Sequence, residues 1–461
     1  MARRSLIGAA AWLAVVGVAC SAASGVGFSR PVRLPGPLEE WSFVIAPDGD
    51  AVAVRGSEHG ALVYPLGTST TLGPPVVVTV VGGYGLSLSH GVLDDRHRLA
   101  LAFTYFDHTE EPSNEPHGGP GCCSRVAIAS WRLGEAVPTA QTLTPKLTGL
   151  AHVDQEPSGP EIVLGPRSLT ALWTLGAGEF EESYEGGGPV RLREAFGPFA
   201  GPYHTQTLMS APGGIWDYAL TKAPDGRPLA SWVDDGDKLR TVTGLRSGAL
   251  HHSHRLQPVP GLVKESSYGF TTNNRGETLF AFQTLRHDGK SRLETVASRD
   301  GSPFSRPRLI HTIPPEIPSG KVLLGPLDTL LASWDHWTKE SRKGIKEDVS
   351  RFAVGGLSAP FGPSVRVPAF PGEPVGFVGG KNEAVVIYRH YEKRGFLLDA
   401  RLAHRGQPFG KPHLLDPGLF NCGIQYGGDE DLAPIESGPD GNAVLLITCE
   451  DNRQYMIRYT P

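Results

Sequence analysis

The sequence predicts an all-β chain closed as a β-propeller, and three observations predict it. A motif of Phe, Gly or Ser, and Pro followed by a short apolar run returns along the whole chain. Tight-turn signals flanked by alternating apolar runs return in step with it. The chain begins and ends out of phase, as a ring closed by its own two ends requires. The clearest copies of the motif are Phe28-Ser29-Arg30-Pro31, Phe304-Ser305-Arg306-Pro307, Phe361-Gly362-Pro363 and Phe409-Gly410-Lys411-Pro412. Weaker copies lie at Leu72-Gly73-Pro74-Pro75, near Val137, at Phe199-Ala200-Gly201-Pro202 and near His254. The average step of about 54 residues falls in the range of stacked repeat architectures.

Each repeat opens on an apolar strand, A. In the first unit this is Ser42 to Ala46, then the turn Pro47-Asp48-Gly49, then strand B from Ala51 to Val54. The Asp-Gly pair supplies positive φ at little cost, which a tight hairpin needs. Seven further hairpins centre on Asp94-Asp95, Pro166-Arg167, Asp225-Gly226, Arg275-Gly276, Pro326-Leu327, Gly380 to Asn382 and Asp440-Gly441. Strand B is the most apolar, as in Leu99 to Phe103, Leu229 to Trp232, Leu331 to Trp334 and Val385 to Tyr388. Strand C follows a charged loop, as in Arg125 to Trp131, Lys238 to Val242 and Ser291 to Val296. The Phe-Gly-x-Pro motif opens strand D, where Pro suits an edge because the missing N–H breaks no ladder. Four antiparallel strands in each of eight blades make a propeller, with seven blades as the alternative. The chain ends after three strands, at Gln454 to Tyr459. It begins, after its leader, with a lone fourth strand, Phe28 to Leu34. That strand is expected to complete the last blade.

The leader is legible. Arg3 and Arg4 precede an apolar run from Leu6 to Cys20, too short for a spanning helix. Residues 1–23 read as a signal peptide and residues 24–461 as one propeller domain. Gly17-Val18-Ala19-Cys20 resembles a bacterial lipobox with Cys20 as the lipidated residue; plain secretion is the alternative. The expected location is secreted or cell-surface, with no transmembrane span after the leader. Cys122, Cys123, Cys422 and Cys449 remain, an even count that suits disulfides in an exported protein. Cys422 and Cys449 fall on the same face of the last blade and are expected to pair. For Cys122 and Cys123, a vicinal bond, cross-loop pairing and free thiols all stay open. A net charge of −5 gives no basic field, which sets nucleic acid aside.

Ser298-Arg299-Asp300-Gly301-Ser302-Pro303-Phe304 resembles the Asp-box turn of sialidases, Ser-x-Asp-x-Gly-x-x-Trp, one residue shorter and with Phe for Trp. The repeat as a whole resembles the secreted multi-bladed propellers of the sialidase-like group. The sequence shows no Arg-Ile-Pro motif and no assignable arginine triad with a Tyr–Glu pair. The resemblance therefore implies architecture rather than activity.

Strand order places the A–B and C–D turns on one face and the B–C loops and D–A connections on the other. The A–B turns read as short and generic. The B–C loops carry the chemistry, and loops on a rigid scaffold are where function concentrates. The candidate ligand-binding residues there are Asp107, His108, Asp234, Asp235, Asp237, His287, Asp288, Asp335, His336, Trp337, His390, Tyr391, Glu392, Glu450 and Asp451. Asp234, Asp235 and Asp237 offer oxygen ligands of the kind calcium takes, but lack the loop-closing Glu of a dedicated calcium loop. No metal site or cofactor is assigned. No Ser-His-Asp signature, phosphate loop or dinucleotide fingerprint is found. The expected function is an exported scaffold binding an extracellular glycan or a protein partner through the B–C face. The alternative is a glycan-active hydrolase or lyase with acid and base carboxylates at the mouth of the axis.

Overall fold

The computed structural model describes residues 27–35, 41–57, 60–107, 124–144, 156–157, 159–176, 190–212, 214–234, 238–251, 255–258, 269–285, 291–313, 320–337, 348–368, 374–380, 382–392, 395–424, 435–438 and 440–461. They form eight antiparallel sheets of four strands each, in the order A-B-C-D. In blades 3 and 8 strand A comes in two pieces, Glu156–Pro157 with Glu161–Leu164 and Cys422–Ile424 with Ile435–Ser437. Each strand A packs against the strand A of the next blade, and that of blade 8 against that of blade 1, so the ring is closed. The architecture is an eight-bladed β-propeller.

The closing strand lies where the phase of the repeat places it. Val32–Arg33 pairs antiparallel with Gln454–Tyr459, Val32 opposite Met456 and Arg33 opposite Tyr455. Phe28 forms a bridge with Tyr459, and their rings lie 5.0 Å apart. The four clear copies of the motif, at Phe28, Phe304, Phe361 and Phe409, each precede an outer strand: Val32–Arg33, Arg308–Ile313, Val365–Pro368 and His413–Leu414. Its aromatic residue fills the gap between blades: Phe28 and Phe304 are buried. The Asp-box-like turn joins strands C and D of blade 5 and seats Phe304 beside Phe270, at 6.5 Å between rings.

The core lies between blades rather than at a single centre. Strand B supplies most of it: Pro228–Asp234, with Trp232 at its centre, is buried throughout, and Trp173, Phe103 and Phe280 on other B strands are fully enclosed. The Asp-Gly and Arg-Gly hairpins adopt the expected conformation, with φ of 90° at Gly49, 81° at Gly226, 72° at Gly276 and 81° at Gly441.

Arginines stitch the turn-bearing face from blade to blade. Arg98 Nη2 donates to Gly165 O at 2.9 Å and pairs with Asp94 at 2.7 Å. Arg308 donates to the carbonyls of Gly356, Leu357 and Ala359. Arg458 of blade 8 donates to Gly67 O, Ser69 O and Gly49 O of blade 1, across the closure. Among the described residues, no helix is long and apolar enough to cross a membrane.

Candidate functional site

On the B–C face, blades 7 and 8 present a fixed aromatic and charged platform. In blade 7, strand B is Glu383–Glu392 and strand C is Gly395–His404, so the hairpin closes over two residues. Tyr391 stands opposite Phe396 in register, which brings their rings to 5.8 Å. The Arg389 guanidinium lies 4.5 Å over the Phe396 ring, within cation–π range. Phe420 arrives from the D–A connection. Gly395 makes room for it: a Cβ there would stand 2.6 Å from Phe420 Cζ. Tyr391 is 42% exposed and Phe420 41%, and among the described residues they are the two large aromatics left in water. Glu392, Glu450 and Asp451 are exposed around them.

Asn421 holds this platform to the next blade. Its Oδ1 accepts from the Phe396 amide at 3.0 Å, and its Nδ2 donates to Glu450 Oε2 at 3.0 Å. Its own φ of 55° is in the left-handed region, which Asn tolerates better than most residues. The next residue, Cys422, lies opposite Cys449 and is bonded to it, as the sequence predicts. The platform is thus braced by a covalent link and a side-chain bridge.

His390 belongs to the same edge. Its Nδ1 lies 3.1 Å from Asp399 Oδ2, with the imidazole 52% exposed and the carboxylate 9%. Asp399 stands opposite Tyr388 in the ladder, and His390 is two residues on, so the two side chains share a face of the sheet and meet diagonally. The carboxylate orients the ring and leaves it open to solvent. Sequence reasoning missed Asp399 and Asn421. Asp399 reads as one polar residue in an alternating strand, and Asn421 as one more loop residue.

The other predicted residues fall differently. Asp234 is corrected: it is 2% exposed and its Oδ2 is paired with Arg240 Nε at 2.6 Å. Its burial and its pairing with Arg240 turn this carboxylate into the blade rather than toward the loop face. Asp107, Asp335, His336 and Trp337 occupy the ends of B strands, where the ladder continues to Trp337 opposite Asp348. His108, Asp235, Asp237, His287, Asp288, Cys20, Cys122 and Cys123 lie outside the described residues. Trp41, at the start of strand A of blade 1, is 3% exposed and lies in the core, packed on Tyr64 at 5.3 Å with Arg55 over its ring.

Around the axis lies a second set of residues that the sequence does not mark. Strand A of each blade is an edge, and its outward N–H groups need acceptors. At four junctions, from blade 2 to blade 6, the preceding blade supplies one. His90 Nδ1 accepts from Ile162 N at 3.0 Å, Glu161 Oε2 from Leu220 N, Asp217 Oδ2 from Phe270 N at 2.8 Å, and Thr271 Oγ1 from Leu324 N at 3.1 Å. Burial lowers the His90 imidazole to about 4, so it stays neutral and can accept. Burial, with the nearby Asp217 charge adding to it, pushes Glu161 up to about 8 against the Leu220 N–H. Burial raises Asp217 to about 6, opposed by the amides of Phe270 and Tyr218.

No protein-family model matches this sequence, and no curated protein matches it. Solved structures do resemble it in fold. The BP39L lectin from Burkholderia pseudomallei aligns over 82% of this chain and 100% of its own, at 10% identity and a TM-score of 0.45. A polysaccharide lyase, an ulvan lyase, aligns over 72% of this chain and 79% of its own, at 10% identity and a TM-score of 0.39. Prolyl oligopeptidase B from Galerina marginata aligns over 92% of this chain and 55% of its own, at 11% identity and a TM-score of 0.43. Likenesses this distant carry no argument about function.

Proposed function

We propose that this protein is an exported binding scaffold that holds a cell-surface glycan on the B–C face of blades 7 and 8. One observation carries the reading. Tyr391 and Phe420 stand in water on a braced platform, flanked by Glu392 and Glu450. Exposed aromatic faces stack on the C–H faces of sugar rings, and carboxylates accept from hydroxyls. A platform already ordered loses little entropy on binding. The leader, with cleavage after Ala23 or lipidation at Cys20, would place the propeller outside the cytoplasm, where the Cys422–Cys449 bond is at home. The sialidase-like resemblance enters this proposal only as propeller architecture.

A second reading, a glycan-active hydrolase or lyase, is favoured by Glu161. It is raised to about 8 and would hold a proton at neutral pH, as a general acid must. Incubation of the mature protein with a panel of cell-wall and extracellular polysaccharides separates the readings. Retention without new reducing or unsaturated ends is the expected result. New ends that vanish in Glu161→Gln would replace the scaffold with the enzyme. Neither retention nor new ends would move the proposal to a protein partner.

A further inference from the structure

The face opposite the platform carries a cavity that the sequence gives no reason to expect. Four consecutive A–B turns line an open pocket of about 320 Å³ between Asn274 and Arg275 of blade 5, Pro326 and Leu327 of blade 6, Gly380 of blade 7 and Asp440 of blade 8. That is a volume in the range of small-molecule sites. The turns lean together over the axis: Asn274 Nδ2 donates to Asp440 Oδ1 at 3.4 Å, although two blades separate them in the ring. Gly380 permits the approach, since a Cβ there would stand 3.1 Å from the Asp440 carbonyl carbon and closer still to its oxygen.

The blade 6 wall is strained and held. Leu327 and Asp328, neither of them glycine, have φ of 58° and 62°. Arg405 Nη1 takes the Leu327 carbonyl at 3.2 Å, and Arg299 Nη2 takes Asp328 Oδ2 at 3.3 Å. Backbone held in this region by its surroundings clusters at ligand sites. Arg405 and Arg299 thereby fix a wall that an unconstrained turn would relax.

The charges on the cavity define what fits. Arg275 has a side chain 48% exposed and forms a long ion pair with Asp328, Nη1 to Oδ1 at 3.8 Å, too long for a hydrogen bond and open on its solvent side. Asp440 is exposed on the far side, one hydrogen bond from the neighbour of Arg275. A purely anionic ligand would satisfy Arg275 and face Asp440 with like charge. A purely cationic one would do the reverse. A zwitterion meets both. Pro326 and Leu327 add an apolar surface beside the two charges.

We infer that this cavity binds a small zwitterion of the α-amino-acid type. Its carboxylate would lie on Arg275, its ammonium on Asp440 and an apolar side chain against Pro326 and Leu327. The inference does not depend on the glycan platform, which lies on the opposite face.

The test uses the full mature chain and L-leucine as probe, followed by ligand-observed NMR and calorimetry. N-acetyl-leucine, which keeps only the anion, and leucinamide, which keeps only the cation, are the comparison ligands. Leucine is expected to bind, with each comparison ligand weaker by about tenfold or more. Asp440→Asn and Arg275→Gln are each expected to weaken leucine by about tenfold or more, with the melting temperature unchanged. Both residues lie in exposed turns. Should one variant melt early, the other carries the test. The inference is overturned if leucine shows no binding at about 10 mM, if either comparison ligand binds as well as leucine, or if a folded variant binds like the wild type.

Discussion

Four side chains, His90, Glu161, Asp217 and Thr271, do at the axis what a paired strand would do: they occupy the N–H groups of an inner edge. Three of them titrate, and their directions give a pH signature. His90 is lowered to about 4, so its contribution is full above its ordinary value near 6.5 and is lost as pH falls toward 4. Asp217 is raised to about 6, so its contribution is lost as pH rises through 6, which opposes His90 across the acid range. Glu161 is raised to about 8 and stands apart from both. Its contribution is present at low pH and lost as pH rises through 8. Urea unfolding at pH 7 and pH 9 should therefore show the wild type losing more stability than Glu161→Gln, which keeps an acceptor for Leu220 without titrating. Equal losses would show that Glu161 is ordinary in the folded chain. None of these acceptors was legible in the sequence, because a polar residue on an inner strand looks the same whether it faces water or a neighbouring edge. His390 and Tyr391 were legible because charge and aromatic character concentrate visibly in one loop. Asp399 was not, because its meeting with His390 depends on ladder register.

The elements themselves were legible, and the reason is local chemistry. Gly49, Gly226, Gly276 and Gly441 mark turns that only positive φ can close, and each joins strand A to strand B. Phe28 and Phe304 mark outer strands because each repeat must fill the same wedge between blades. The Cys422–Cys449 bond followed from two residues placed on one face of one blade, and the ladder sets them opposite each other. The A–B turns are plain in sequence, yet together they shape a pocket on that face. Each turn is generic alone, and the pocket exists only where four of them lean together. The disulfide closes a loop with a sequence separation of 27 residues. Loop-closure entropy for such a span is worth about 3–4 kcal/mol. The Cys422→Ser/Cys449→Ser pair should lower the denaturant midpoint accordingly and weaken glycan retention, because Asn421 adjoins the bond. An unchanged midpoint would show that the ladder alone braces the last blade.

At the scale of the whole molecule, the ring is one cooperative object because its two ends share a blade. Phe28 and Leu34 are buried, and Arg458 reaches from blade 8 into blade 1. Removal of residues 24–34 should expose the outer edge of strand Gln454–Tyr459 and lower and broaden the thermal transition. A transition as sharp and as high as that of the intact chain would mean that the closing strand is dispensable. The closed ring is what makes a fixed platform from residues as distant in sequence as Tyr391 and Glu450. The most direct measurement of the central claim is the affinity of the mature protein for the polysaccharide that retains it, compared with Tyr391→Ala/Phe420→Ala. The account predicts a loss of about tenfold or more, from two stacking faces worth roughly 1 kcal/mol each, with the melting temperature unchanged. Equal affinity in the two proteins would contradict it and move the glycan away from blades 7 and 8.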